Sequence, residues 1–466
     1  MFNKKLFFIF IIIKMFNLLS NYINKSPIFV SEDLRDGNQS IIKGYNIKEK
    51  INIWNIILNI GIKQIVVGFP SSNKHDYNFI KYLIKNNLIP KDIFISILIP
   101  CKKKLIDLSI NCVKKKENVI FHLYNSVSKN QRKKVFKFKK KEILNFTIES
   151  IKYLIKNIIN KKKYSILQYS PESFSDTEIF FSKKISFYFS YLCYINKIKS
   201  ILNLPITVDN IYGNIYINYL KYIKKNIFDS IISTHIHNDM SNGISNSMFC
   251  LLLNINRIEG TLFGNGERSG NTSLMIFASN LYNLGINPNI KIFNNKKFTY
   301  FKNEKISLKN RFPWFSRLNY TAFSGSHQDA IFKSYYKKKK FNWRVIYISI
   351  NPKIFNFSHK NIIKINSQSG KGGLKFIFWY NYKLLLNNKI LINLYKIIQE
   401  ISEILIIELY KEFIFSLLFL KSNSIFLNKF KIFQFYFVKF YNFKIYIILI
   451  KKKNKKIIKI IILKYE

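Results

Sequence analysis

From Pro27 to about Lys309, short apolar runs alternate with longer amphipathic stretches. Gln64–Val67, Ile93–Leu98, Val119–Leu123, Ser165–Tyr169, Ile206–Val208, Ile231–Ile236 and Arg257–Glu259 are short runs of three to six residues, most of them apolar, which predicts buried strands; the apolar Ile28–Val30 is a further one. Lys48–Ile60, Asp76–Lys85 and Lys141–Lys156 carry the wider spacing of amphipathic helices. Strand–helix alternation over this length predicts a parallel α/β fold, a (β/α)8 TIM barrel, with an open doubly wound sheet as the alternative that periodicity alone does not separate from it. Arg311–Arg344 breaks the pattern with Pro313, aromatics and a Gly/Ser/His segment, and Ser367–Gly373 (SQSGKGG) reads as a flexible hinge or turn. Ile390–Leu420 reads as helical and Phe426–Glu466 as β-type runs around Lys451–Lys456. The expected partition is an extension (1–26), a barrel (27–310), two small α/β segments (311–365 and 366–420) and a short C-terminal segment (421–466).

Charge complicates this picture. Lys and Arg total 76 against 25 Asp and Glu, a formal +51 that taken alone points to nucleic acid or an anionic surface. The excess is nearly all Lys, is spread along the chain, and comes with inflated Ile, Asn, Phe and Tyr and only three Ala. Compositional drift accounts for that better than a binding patch, and no specific nucleic acid or membrane partner is expected. Leu6–Ile13 behind two lysines imitates a signal sequence, but the run is far short of the ~20 residues of a membrane span. Cys101, Cys112, Cys193 and Cys250 match no zinc or disulfide spacing, so reduced thiols in the cytoplasm are expected.

Against this background, segments rich in Gly, Arg, Asp and His stand out. SEDLRDGNQ (Ser31–Gln39) follows an apolar run, which places Arg35 and Asp36 where a barrel keeps its chemistry, at a strand's C-terminal end. Asp36 offers a hard oxygen ligand and Arg35 a fixed fork of donors for an oxyanion. In THIHND (Thr234–Asp239), His235 and His237 are two apart, so on a strand they share a face, as a divalent metal requires. In LFGNGERSGN (Leu262–Asn271) the glycines permit close backbone approach and Asn265 offers an amide oxygen. A packed histidine pair and a surface Arg–Asp pair are the bland readings of each motif singly. Together, one carboxylate, two imidazoles and an amide favour a Lewis-acid site for Mn²⁺, Mg²⁺ or Zn²⁺.

These three motifs, with GFPS (Gly68–Ser71), HLYNS (His122–Ser126), YSPESF (Tyr169–Phe174), NLPITV (Asn203–Val208), TAFSGSHQDA (Thr321–Ala330) and INSQSGKGG (Ile365–Gly373), stand in the order seen in 2-isopropylmalate synthases. The chain resembles the long type of that family from about Pro27 to Leu420. The resemblance implies a metal-dependent Claisen condensation of acetyl-CoA with 2-oxoisovalerate, an acyl transfer that yields 2-isopropylmalate and CoA and commits carbon to leucine. It carries the metal ligands onto Asp36, His235, His237 and Asn265, and the oxo-acid pocket onto Arg35, His122, Ser170, Glu172 and Thr207. It also implies a homodimer in which His327 and Tyr347 complete the partner subunit's site; read without it, one is a loop histidine and the other a strand residue. Glu172, His327 and Tyr347 are alternative general bases. The chain departs from the family at Val67, where the family has Glu before GFP, at Ile97–Lys102, and at Met240, which stands where the family has Arg. The glycine-free residues after Leu420 resemble a remnant of the family's regulatory domain, so leucine feedback is expected to be lost. Alternatives are a homocitrate or citramalate synthase, which share the chemistry, or a degenerate basic protein that binds nucleic acid.

Overall fold

The computed structural model describes residues 25–39, 44–114, 116–159, 165–292, 308, 310–336, 345–359, 362–405, 408–422, 430–440, 443–452 and 457–465. The apolar run Leu6–Ile13 lies outside them. The chain divides into two compact units, Met1–Leu308 and Lys309–Glu466.

The first unit is a closed barrel of eight parallel strands: β1 (Ile28–Ser31), β2 (Gln64–Gly68), β3 (Phe94–Pro100), β4 (Val119–Ser126), β5 (Ile166–Glu172), β6 (Ser200–Asn203), β7 (Ile231–His235) and β8 (Arg257–Gly260). β8 pairs with β1 through Ile28↔Arg257 to Ser31↔Gly260, which closes the cylinder. Around it lie α1 (Ile47–Ile60), α2 (Lys74–Lys85), α3 (Lys103–Cys112), α4 (Lys140–Ile159), α5 (Ile179–Ile195), α6 (Gly213–Lys224), α7 (Gly243–Leu251) and α8 (Leu274–Asn283). The helices start where polar side chains meet their unpaired amides. Asn46 accepts from Glu49 N (2.9 Å) while Glu49 answers to Asn46 N (3.0 Å), and Asn73 accepts from Asp76 N (2.8 Å). Trp54, Phe79, Phe121, Tyr169 and Phe189 are fully buried between barrel and helices.

The sixth strand is not where the apolar run Ile206–Val208 put it. β6 ends at Asn203, and Ile206 makes only an isolated bridge to Ile236. Pro205 has no N–H to continue the ladder, and Val208 is exposed. Leu204 N and Ile206 N still donate to Ser233 O and His235 O (both 2.9 Å), so the chain stays paired along β7 as far as Ile206, and Thr207 follows at the strand-end face.

In the second unit the broken Gly/Ser/His segment is helical: α9 spans Gly325–Tyr336. SQSGKGG forms the turn of the two expected readings, at Ser367–Gln368, and not a hinge. Its last three residues open α10 (Lys371–Tyr382), and a Cβ on Gly372 would stand 2.4 Å from Asp329 Cα. Only glycine lets α10 lie this close to α9. Buried Gln328 ties the same region together, donating to the carbonyls of Phe323 (3.0 Å) and Lys364 (2.8 Å) and to Ser369 Oγ (3.0 Å). The long helical stretch is two helices, α11 (Asn388–Leu405) and α12 (Lys411–Ser422). It breaks because Leu409 N donates to Ile365 O (2.8 Å) and Glu408 meets Lys364 Nζ (2.7 Å), drawing the chain out as an extended bridge. Residues 430–465 form three antiparallel strands, β9 (Phe430–Phe440), β10 (Phe443–Lys452) and β11 (Ile457–Tyr465).

Gly372→Ala should destabilise the second unit by about 1–3 kcal/mol, the usual cost of overpacking. Gly44→Ala, whose new methyl would meet nothing nearer than 3.7 Å, should be close to neutral. Denaturant unfolding of the two variants side by side checks this.

Candidate active site

The strand-end face of the barrel gathers residues that are far apart in the chain. After β1 the backbone turns so that Glu32 O accepts from Arg35 N (3.1 Å) and Gly37 N (3.0 Å), which brings Asp36 over the barrel mouth. β7 delivers His235 at its last residue. His237 stays in line because its N–H donates to Ile206 O (3.1 Å) and it bridges antiparallel to Asn271. His235 Nε2 lies 3.4 Å and His237 Nε2 3.9 Å from Asp36 Oδ2. Their ligand atoms fall within 4.8 Å of one another, and all three residues are buried.

The two asparagines of LFGNGERSGN are placed differently. Asn265 gives its Nδ2 to Gly37 O (3.0 Å). Asn271 gives its Nδ2 to Asp36 Oδ2 (2.8 Å). Both amide oxygens are buried without a hydrogen-bond partner. The loop reaches this position through Gly270, at φ +92°, where any side chain would run into Gly264 O.

A cavity of about 230 Å³ opens beside this cluster, lined by Arg35, His122, Ser170, Glu172 and Thr207 among others. Its apolar wall is Phe69, Leu98 and Tyr124. His122 Nε2 is 2.6 Å from Ser170 Oγ, and Asn203 Nδ2 donates to the same hydroxyl at 2.9 Å. Thr207 Oγ1 accepts from Ser173 N (2.9 Å). Arg35 is aimed by Glu32 (NH2–Oε2 2.7 Å) and Asp36 (NH1–Oδ1 3.5 Å).

The remaining pair expected in the site, His327 and Tyr347, belongs to the second unit. Their rings stack, with centroids 3.9 Å apart. Tyr347 is exposed and sits at φ +64°, a conformation that costs a bulky residue free energy.

A layer below the site was not anticipated from the sequence. Glu259, wholly buried on β8, accepts from Gln168 Nε2 (2.7 Å) and Ser233 Oγ (3.1 Å), pairs with Arg257, and lies 3.4 Å from His235 Nδ1. Gln168 Nε2 in turn is 3.3 Å from His122 Nε2. One carboxylate thus orients both the imidazole that faces Asp36 and the one that faces the pocket. A carboxylate behind a ligand histidine holds its ring and tautomer. Glu32, Asn203 and Asn271 were likewise unforeseen. The available signal was the alternation Arg257–Ile258–Glu259 within an apolar run, two charges on one face of a buried strand.

The charges sort themselves accordingly. Burial works to raise Asp36 and Glu259, but neighbouring cations outweigh it and hold both carboxyls well below the usual range: Arg35 and His235 for Asp36, Arg257 and His235 for Glu259. Burial also works to lower His235, yet Asp36, Glu259 and Glu32 raise it to about 10. Burial pushes His122 down to about 3, and burial with the His235 charge pushes His237 down to about 4. Glu172 is raised by burial and by Glu267.

Residues 26–298 match the family model described as HMGL-like, and residues 317–379 match the post-catalytic domain-like model of alpha-isopropylmalate synthase. A 2-isopropylmalate synthase of Clostridium acetobutylicum is 36% identical over 406 residues, 84% of this chain and 73% of its own length. The synthase of Helicobacter hepaticus is 37% identical, with 78% and 66% covered, and that of Mesorhizobium japonicum 36%, with 82% and 70% covered.

Arg257→Met strands a buried carboxylate and should destabilise the barrel by about 3–5 kcal/mol. Arg257→Met/Glu259→Gln, which removes the charge and keeps an amide for Gln168 and Ser233, should regain much of that. Urea unfolding of the single and double variants measures the coupling.

Proposed function

The chain belongs to the 2-isopropylmalate synthase family, and on that premise we propose that it joins the acetyl group of acetyl-CoA to 2-oxoisovalerate at the committing step of leucine biosynthesis. The observation that carries this reading is the convergence of Asp36, His235 and His237 beside Arg35 on one cavity. The enzyme is an acyltransferase: a C–C bond forms between the acetyl methyl carbon and the keto carbon, and water then cleaves the thioester to release CoA.

The residues fit a divalent ion. Three ligand atoms converge, and two buried amide oxygens lack partners. Oxygen and imidazole donors suit Mn²⁺, Mg²⁺ or Zn²⁺. Asp36, His235 and His237 would hold it, and the amide on Asp36 favours Asn271 over Asn265 as the fourth ligand, because rotating that amide exchanges nitrogen for oxygen at the same place. A bound ion supplies Lewis-acid polarisation of the keto group.

The chain's own groups do the rest. Arg35, fixed by two carboxylates, points its fork at the oxygen that becomes an alkoxide. His122, kept neutral by burial, and Ser170 bind the oxo-acid carboxylate with Thr207. Glu172 takes the methyl proton; its place in the cavity lining supports it, with His327 and Tyr347 as the alternative bases. Phe69, Leu98 and Tyr124 match a branched aliphatic side chain. Among the residues lining the pocket Arg35 is the sole Lys or Arg, so a second carboxylate, as a homocitrate synthase substrate carries, has no counter-charge.

The finer assembly is part of the same proposal: a barrel over 27–310, linker subdomains at 311–365 and 366–420, and a C-terminal segment at 421–466, paired as a homodimer. The exposed, strained Tyr347 stacked on His327 supports a pair presented to the partner's site. The four cysteines are buried free thiols, which suits a reducing cytoplasm, and no described helix is long and apolar enough to cross a membrane.

Purified protein given acetyl-CoA, Mn²⁺ and a panel of 2-oxo acids should release CoA fastest with 2-oxoisovalerate and yield 2-isopropylmalate. His235→Ala should lose both turnover and stoichiometric Mn²⁺ binding by calorimetry; retained binding would sink the assigned site. Mixing inactive Asp36→Ala with inactive His327→Ala subunits should restore activity in the heterodimer, since one of its two sites receives both native halves. No recovery after demonstrated subunit exchange rules out shared sites.

A further inference from the structure

The connection from β4 to α4 leaves the barrel at the pocket rim. Val127 N donates to Glu172 O (3.2 Å), and Ser126 Oγ faces Ser173 Oγ at 3.5 Å. The segment that follows, residues 129–141 (KNQRKKVFKFKKK), holds eight basic residues and no acid. It is not a loose charged loop. Arg132 is buried at its root, bonded to Val127 O and to both oxygens of Glu178 (2.8 and 3.0 Å), with its guanidinium 4.8 Å from the Phe181 ring centre. Residues Arg132–Phe136 form a π-helical turn that ends in left-handed Lys137 (φ +57°). Such turns recur at functional sites.

This rooted turn presents a mixed surface. Lys133, Lys134, Lys137 and Lys139 are exposed and form no ion pair among the described residues; Lys140 is paired with Glu178 at 3.2 Å. Between them Val135 and Phe138 are exposed, and the Phe136 and Phe138 rings lie stacked with centroids 6.2 Å apart. Solvated lysines would account for the charge. They do not account for apolar and aromatic groups held in water between like charges by a buried arginine. Aromatic faces framed by cations are what a purine base with attached phosphates requires.

The pocket itself cannot take that part of a substrate. It is about 230 Å³, and Arg35, already bound to two carboxylates, is its one permanent cation among the lining residues. We propose that the 129–141 turn is the docking site for the phosphorylated adenosine end of the thioester substrate, with the base on Phe138 and Phe136 and the phosphates on Lys133, Lys134 and Lys137. This rests on the reading that the acyl donor is acetyl-CoA.

The test compares Lys133→Glu/Lys134→Glu and Phe138→Ala with a control of equal charge change, Lys152→Glu/Lys156→Glu, on the exposed far part of α4. KM for acetyl-CoA should rise roughly ten-fold or more in the first two variants. KM for 2-oxoisovalerate and the rate with acetyl-pantetheine, which lacks the nucleotide, should match the control. Calorimetry with CoA and with adenosine 3′,5′-bisphosphate should show the same loss without turnover. Equal affinities in variants and control overturn the inference and leave the enzymatic reading standing. If no 2-oxo acid is turned over, the enzymatic reading falls, and the calorimetric comparison alone decides for or against the turn.

Discussion

A carboxylate at the centre of a barrel is costly unless cations meet it, and Glu259 is met from two sides. Arg257 lies beneath it on the same strand and His235 above it, with Gln168 and Ser233 filling its remaining acceptor positions. His235 lies in turn against Asp36, and Asp36 against Arg35. Each group in this column is held in place by the next. A neutral lumen would pack as well, but it would leave the two imidazoles free to turn. Here the reacting end of the site is oriented from below, before any substrate arrives.

The barrel was legible because a buried parallel strand is a short apolar run, and seven of the eight runs lie where the strands are. The sixth misled because Pro205 sits inside an apolar segment, and hydrophobicity carries no record of a missing N–H. Asp36, His235 and His237 stood out because Asp and His are scarce in a Lys-, Ile- and Asn-rich chain. Arg257 and Glu259 were read as strand residues only, since no motif around them points to a buried ion pair. The choice between Asn265 and Asn271 is a matter of which side of a glycine turn faces the ligands, and residue spacing does not encode that. SQSGKGG looked like a hinge because glycine's two uses, freedom and closeness, share one letter.

Drift in composition has not reached the supports of the pocket. Lys50, one of many lysines by count, is buried against Asp76 at 2.6 Å. The other oxygen of Asp76 accepts from Phe69 N (2.7 Å), which fixes the ring that forms part of the apolar wall. A lysine read as surface charge is here the counter-ion that allows a carboxylate to brace the substrate's surroundings. Burial and pairing, and not residue type, separate such positions from the solvated majority.

The seam where β8 meets β1 has a consequence for how the protein comes into being. Asp33 lies at that seam, wholly buried, accepting from Leu262 N (3.0 and 3.1 Å), and Asn271 reaches Asp36 across 235 residues of chain. A nascent chain carrying Asp36 therefore waits for its partners while they are still being translated, roughly 10–50 s at ~5–20 residues per second. Over that interval the early strands expose an unpaired edge and a carboxylate cluster without its histidines. Ribosome pausing and chaperone occupancy before residue 271 leaves the exit tunnel would then determine how much of the protein reaches its closed state.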